Sequence, residues 1–164
     1  MDLKKLKVWQ LIVGLFVVVG GAVLFVVAVS GGFDRVPKAE IDSEYQCGDN
    51  CDGEYVELSA EEYEKMIADK KSFVVLVDQG GCKTADRMKE FVKEFAKEKG
   101  IKIFKMMFED VKKTSLHDNV KYYPSVAVIS NGQVIGNLRA DADEDADAYN
   151  GKEAFETWVG KYLK

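Results

Sequence analysis

The feature that most constrains this chain is an uninterrupted apolar run from Leu11 to Val29, built of Val, Leu, Ile, Phe, Ala and Gly without a single charge. A helix needs roughly twenty such residues to cross the hydrocarbon of a bilayer. A helix apolar on every face finds no place in a small water-soluble core. Trp9 stands at the near edge of the run, where interface aromatics sit. Lys4, Lys5 and Lys7 precede it, whereas Asp34, Glu40, Asp42, Glu44, Asp49, Asp52 and Glu54 follow it against only Arg35 and Lys38. The positive-inside rule then predicts a single-pass anchor in the cell membrane, with the N-terminus cytoplasmic and the rest of the chain extracytoplasmic. A cleaved signal peptide is the competing reading, since Ala28-Val29-Ser30 fits a small-residue cleavage site, and it too exports the remainder.

With the anchor set apart, 164 residues leave room for one compact domain. Residues 1–30 read as cytoplasmic stub and anchor. Residues 31–54, rich in Gly, Asp, Glu and Ser and without apolar periodicity, read as an extracytoplasmic linker. Residues 55–164 read as the folded domain. A formal charge of −5 with no basic stripe argues against a nucleic-acid surface, which needs clustered Lys and Arg. Three cysteines, Cys47, Cys51 and Cys82, are too few for a disulfide scaffold and leave one thiol over if the nearest two pair.

Inside the domain the periodicities are clear. Tyr55 to Leu58 reads as a short strand, and Ser59-Ala60-Glu61-Glu62 is a capping box that opens a helix burying Tyr63, Met66 and Ile67. Phe73 to Val77 is a continuous apolar run of the kind buried on both sheet faces. After Gly80-Gly81, the spacing of Met88, Phe91, Val92 and Phe95 predicts a helix that ends at Gly100. Ile101 to Phe108 reads as a strand and Val111 to Asn119 as a short helix. Ser125 to Ser130 and Gln133 to Leu138 flank Asn131-Gly132, a strong hairpin signal. Phe155, Trp158, Val159, Tyr162 and Leu163 mark a closing helix. The order βαβαβαββα predicts an α/β domain, a central mixed sheet with helices on both faces.

This order, a cysteine opening the helix after the first long buried strand, and Pro124 starting the hairpin strand about 42 residues later together resemble the thioredoxin superfamily over Tyr55 to Lys164. The family motif is Cys-x-x-Cys; here the chain reads Cys82-Lys83-Thr84-Ala85-Asp86-Arg87-Met88. Aligned on Met88, Cys82 stands for the nucleophilic cysteine and Ala85 for the resolving one. A second register puts Gln79 in place of the first cysteine and Cys82 in place of the second. Either way one thiol is missing, and Gly81 stands where an aromatic residue commonly precedes the motif. The resemblance further implies a three-layer thioredoxin-like fold, a cis Tyr123–Pro124 bond, and a loop, Val120 to Ser125, that faces Cys82 and offers backbone groups to an extended peptide. A thiol at a helix start has its thiolate favoured by the macrodipole, and Lys83 adds to that effect.

Other candidates carry less. Exported, Cys47 and Cys51 are placed to close a tight disulfide, and the same pair is one possible source of the thiol that Ala85 does not supply. His117 has no nucleophile near it in the chain. Asp141, Asp143, Asp145 and Asp147 alternate like a calcium loop, but Ala146 and Lys152 occupy the positions that need Gly and Glu. Asp78 lies near Cys82 but matches the family's buried acid poorly. No metal or cofactor is called for.

Two classes remain open. One is a monothiol oxidoreductase acting on exported protein thiols or disulfides, with Cys82 catalytic and Tyr123 and Pro124 binding substrate. The other is a redox-inactive module that docks a peptide or envelope protein on the Pro124 loop. The pattern sets no oligomeric state. A membrane-impermeant thiol reagent added to intact cells should label the chain, after reduction if Cys47 and Cys51 are bridged; labelling only after permeabilisation would reverse the topology.

Overall fold

A computed structural model of the protein describes residues 38–81 and 83–164. The anchor predicted over Leu11 to Val29, the cleavage-site alternative and Cys82 itself lie outside the described residues. Among the described residues no helix is long and apolar enough to cross a membrane.

Nine elements follow the predicted order: β1 (Val56–Glu57), α1 (Ala60–Ala68), β2 (Phe73–Asp78), α2 (Lys83–Lys99), β3 (Ile103–Met107), α3 (Phe108–Val111), β4 (Ser125–Ser130), β5 (Gln133–Asn137) and α4 (Lys152–Val159). The five strands form one mixed sheet in the order β1-β3-β2-β4-β5. β3 runs parallel to both β1 and β2, and β4 runs antiparallel to β2 and β5. Each local signal has a visible cause. Ser59 accepts the Glu62 N–H while the Glu62 carboxylate reaches back to Ser59, so the capping box is complete. Asn131 and Gly132 both take positive φ, 50° and 74°, as a two-residue hairpin turn requires. Gly100, φ 64°, ends α2 in a Schellman arrangement, with the Ile101 N–H on the Ala96 carbonyl and the Gly100 N–H on that of Lys97.

β2 divides the core. Val74 and Leu76 face Met88, Phe91, Val92 and Phe95 of α2 together with Phe155 and Trp158 of α4. Phe73, Val75 and Val77 face Tyr63 of α1 together with Phe104, Met106, Val111 and Leu116.

Some expectations change. The helix expected over Val111–Asn119 splits into α3 and a 3₁₀ turn at Ser115–Asp118. Thr114 interrupts it by turning its hydroxyl onto the Val111 carbonyl at 2.8 Å. The linker expected over 31–54 is, in its described part, packed onto the domain. Ala39 is 1% and Cys51 7% exposed. The Ala39 N–H donates to the Tyr162 carbonyl, and Gln46 forms a bridge with Ile101. Tyr45 packs edge-on against Phe104, ring centroids 5.0 Å apart. Acidic residues alternating with Ala39, Ile41 and Tyr45 look like a solvated tether in sequence, while Ala39 and Ile41 join the core and Tyr45 packs against it.

Gly136 lies under the Tyr162 ring, where an added Cβ would sit 2.5 Å from Cε1. Gly136→Ala should therefore cost about 1–3 kcal/mol in urea unfolding by overpacking. Most of that loss should disappear in a Tyr162→Ala background.

Candidate functional site

The geometry at the carboxyl end of β2 follows from its pairing. Val77 pairs with Ser125 and Asp78 with Met107, so the residue before β4, Pro124, and the turn after β2 emerge at the same end of the sheet. That turn carries Gly80 and Gly81, with φ 71° and 64°, a left-handed pair that only glycine adopts freely. α2 begins at Lys83, directly after Cys82 in the chain. In its first turn Ala85 is buried, and Met88 sits in the core one turn further on.

The Tyr123–Pro124 peptide bond is cis, and Pro124 is buried. What holds the loop is Tyr149, whose hydroxyl lies 3.1 Å from both the Pro124 and Leu138 carbonyls and donates between them. Ser125 adds a second hydroxyl to the Leu138 carbonyl at 2.7 Å. Burial pushes the Tyr149 phenol up, with Asp145 and Asp141 adding to it, so it remains a donor across the physiological range. Tyr123 packs on Phe108 with ring centroids 5.7 Å apart, and its buried hydroxyl has no hydrogen-bond partner among the described residues. Burial raises its pKa as well. Tyr122, by contrast, is 50% exposed.

Asp78 is 4% exposed at the end of β2. One carboxylate oxygen accepts the Gly80 N–H at 3.0 Å, and the other meets the Lys89 ammonium at 3.1 Å, which also pairs with Asp86. Burial works to raise the Asp78 pKa, but the Gly80 N–H and the nearby Lys89 charge outweigh it and hold the carboxyl below the ordinary aspartate range. Asp78 thus shapes the glycine turn that leads to Cys82.

The remaining candidates lie elsewhere. Cys47 and Cys51 are joined in a disulfide with Cα atoms 5.1 Å apart. Their loop packs on the last turn of α2, where the Cys47 and Gly48 N–H groups donate to the Gly100 carbonyl. A helix of 17 residues separates that end from Lys83 by about 24 Å, so the pair is not positioned to supply a thiol at the start of α2. His117 sits in the 3₁₀ turn with its Nδ1 unpartnered among the described residues. Of the alternating aspartates, Asp143, Asp145 and Asp147 lie in a 3₁₀ helix, Asp143–Tyr149, with Asp141 in the turn before it, and the Asp145 carboxylate accepts the Arg139 N–H at 2.9 Å. No cluster of metal-ligating side chains occurs among the described residues. Tyr149 was invisible in the sequence because it lies in an acidic stretch and acts on a loop 25 residues away.

No protein-family model matches the chain, and no curated protein matches it in sequence. Solved structures do match. The oxidised thioredoxin of Plasmodium falciparum is 19% identical with a TM-score of 0.51, over 68% of this chain and 100% of that one. Oxidised mitochondrial thioredoxin 3 of Saccharomyces cerevisiae is 14% identical with a TM-score of 0.50, over 65% and 93%. With the mixed sheet, these likenesses show that the domain has a thioredoxin-like α/β fold.

Asp78 also gives the site a pH signature. Its folded pKa lies below the unfolded value of about 3.9, so its pairing adds stability that is present above that value and lost as pH falls through the lowered folded one. Asp78→Asn should cost about 1–3 kcal/mol at neutral pH and much less near pH 2, measured by urea unfolding. An equal loss at both would mean that the ion pair is not its source.

Proposed function

We propose that this chain is a membrane-tethered, extracytoplasmic thioredoxin-like protein that takes part in thiol–disulfide exchange through the single cysteine Cys82, with Ala85 in place of a resolving thiol. The observation that carries the reading is the buried cis Tyr123–Pro124 loop, held by Tyr149 at the same sheet end as the turn leading to Cys82. It offers the backbone edge along which an extended peptide bearing a disulfide would lie. The Cys82 thiolate attacks one sulfur of that disulfide; the S–S bond breaks, its electron pair leaves on the other sulfur, and a mixed disulfide forms. Ala85 cannot resolve it, so a thiol from a second molecule must attack and release Cys82. Exported protein thiols and disulfides are thus the partners, and the apolar run Leu11 to Val29 is the tether.

The exposed Tyr122 beside the loop favours a second reading, a redox-inactive module that docks a peptide or envelope protein on the same surface.

Titrating the alkylation rate of Cys82 separates the two. A monothiol exchanger should ionise below the unperturbed thiol value of about 8.5. It should also yield mixed disulfides from cells that disappear in Cys82→Ser and become shorter-lived in Ala85→Cys. A value at or above 8.5 with no trapped partner would leave the docking module.

A further inference from the structure

The Cys47–Cys51 disulfide is a redox-capable group that exchange at Cys82 does not use. Its two sulfurs stand in different surroundings. Cys47, the residue before the 3₁₀ turn Gly48–Asn50, is partly exposed, whereas Cys51 is 7% exposed. The Cys51 Sγ lies 3.4 Å from the Ile101 carbonyl oxygen, an acceptor already in place for a thiol proton. Contacts other than the cross-link also hold the surrounding segment. The Cys47 and Gly48 N–H groups donate to the Gly100 carbonyl, and the Lys102 N–H donates to that of Tyr45. Gly48 and Gly53 sit so close to Gly100 and Lys93 that a Cβ on Gly100 or on Gly53 would come within 2.8 Å of the facing backbone. A sequence separation of 4 closes a very short loop, the kind that constrains an unfolded chain least. A bridge over so short a loop, with one cysteine partly exposed and the sulfur of the buried one beside a carbonyl acceptor, fits a redox couple better than a staple.

We propose that Cys47–Cys51 is a second redox site, an exchangeable disulfide that accepts two electrons from a dithiol at the Cys47 sulfur. One thiolate of the dithiol attacks Cys47 Sγ; the Cys47–Cys51 bond breaks and its electron pair leaves on Cys51 Sγ, which takes a proton from water and donates to Ile101. The second thiolate of the dithiol then attacks the first dithiol sulfur, the one bonded to Cys47, and closes a ring disulfide. Cys47 leaves as a thiolate and is protonated by water. The dithiol is oxidised by two electrons, and Cys47–Cys51 is reduced to two thiols. The site works at the far end of α2 from Lys83 and does not rest on the role given to Cys82.

The full chain carrying Cys82→Ser, in detergent micelles without denaturant, tests it. Dithiothreitol followed by quenching with N-ethylmaleimide should add two labels within minutes, at a rate within about tenfold of that in urea, while the unfolding temperature moves by only a few degrees. Cys51→Ser treated with oxidised glutathione should carry glutathione on Cys47. The lone Cys51 thiol of Cys47→Ser should alkylate at least about tenfold more slowly than the lone Cys47 thiol of Cys51→Ser. Reduction that requires urea, reduction that unfolds the domain, or equal alkylation of the two thiols would each make the bridge a structural staple. If either single variant fails to fold, the labelling rate and unfolding temperature of the Cys82→Ser chain decide alone.

Discussion

The structure depends first on β2, a strand buried on both faces and hydrogen-bonded along both edges. Its five apolar side chains, Phe73 to Val77, divide between two cores, and burying each is worth about 1.5–3 kcal/mol. A central strand of this kind has no freedom of register, because a one-residue slip would exchange the sets packed on α2 and α1. Once its register is fixed, so are its ends. The carboxyl end delivers Asp78 and the glycine turn beside Pro124, and the amino end meets the segment 38–54 at Asp42, whose N–H donates to the Ser72 carbonyl.

Two polar groups at the carboxyl end, the Pro124 carbonyl and the Asp78 carboxylate, find partners distant in the chain. Tyr149 reaches the Pro124 and Leu138 carbonyls from the 3₁₀ helix before α4, and Asp78 is neutralised by Lys89 from the second turn of α2. A buried hydroxyl or carboxylate without such a partner costs more than the bond it makes when paired, so these contacts pin the loops they touch. The loop between β3 and β4 is held as much by Tyr149 as by its own proline.

α2 separates two chemically different ends. Its start follows the glycine turn, and its first turn holds buried Ala85; at its finish the Ala96 and Lys97 carbonyls accept the Ile101 and Gly100 N–H groups, and the Gly100 carbonyl accepts those of Cys47 and Gly48. The cysteine pair belongs to the second end. With about 24 Å between the ends, thiol chemistry at Cys82 and at Cys47–Cys51 would meet different partners, and electrons would pass between them only through another molecule.

Much of this was readable in the residues. The capping box at Ser59, the Asn131-Gly132 hairpin, the Gly100 stop, the unbroken apolar run of β2 and the i, i+3, i+4, i+7 stripe of α2 each carry a local physical cause, and each formed the element it predicts. The break at Thr114 was not readable, because a hydroxyl turning back onto its own backbone leaves the helical pattern of Val111 to Asn119 superficially intact. Ala39 and Ile41 read as linker because two apolar residues among acids carry too little period to reveal a partner, yet both are buried in the core. The sequence by itself determined the order of elements and the one hairpin, since those rest on contacts within a few residues. Tertiary structure alone decided that residues 38–54 complete the domain, that Tyr149 holds the proline loop, and that the Cys47–Cys51 pair lies at the opposite end of α2 from Lys83, because each depends on groups brought together across the sheet.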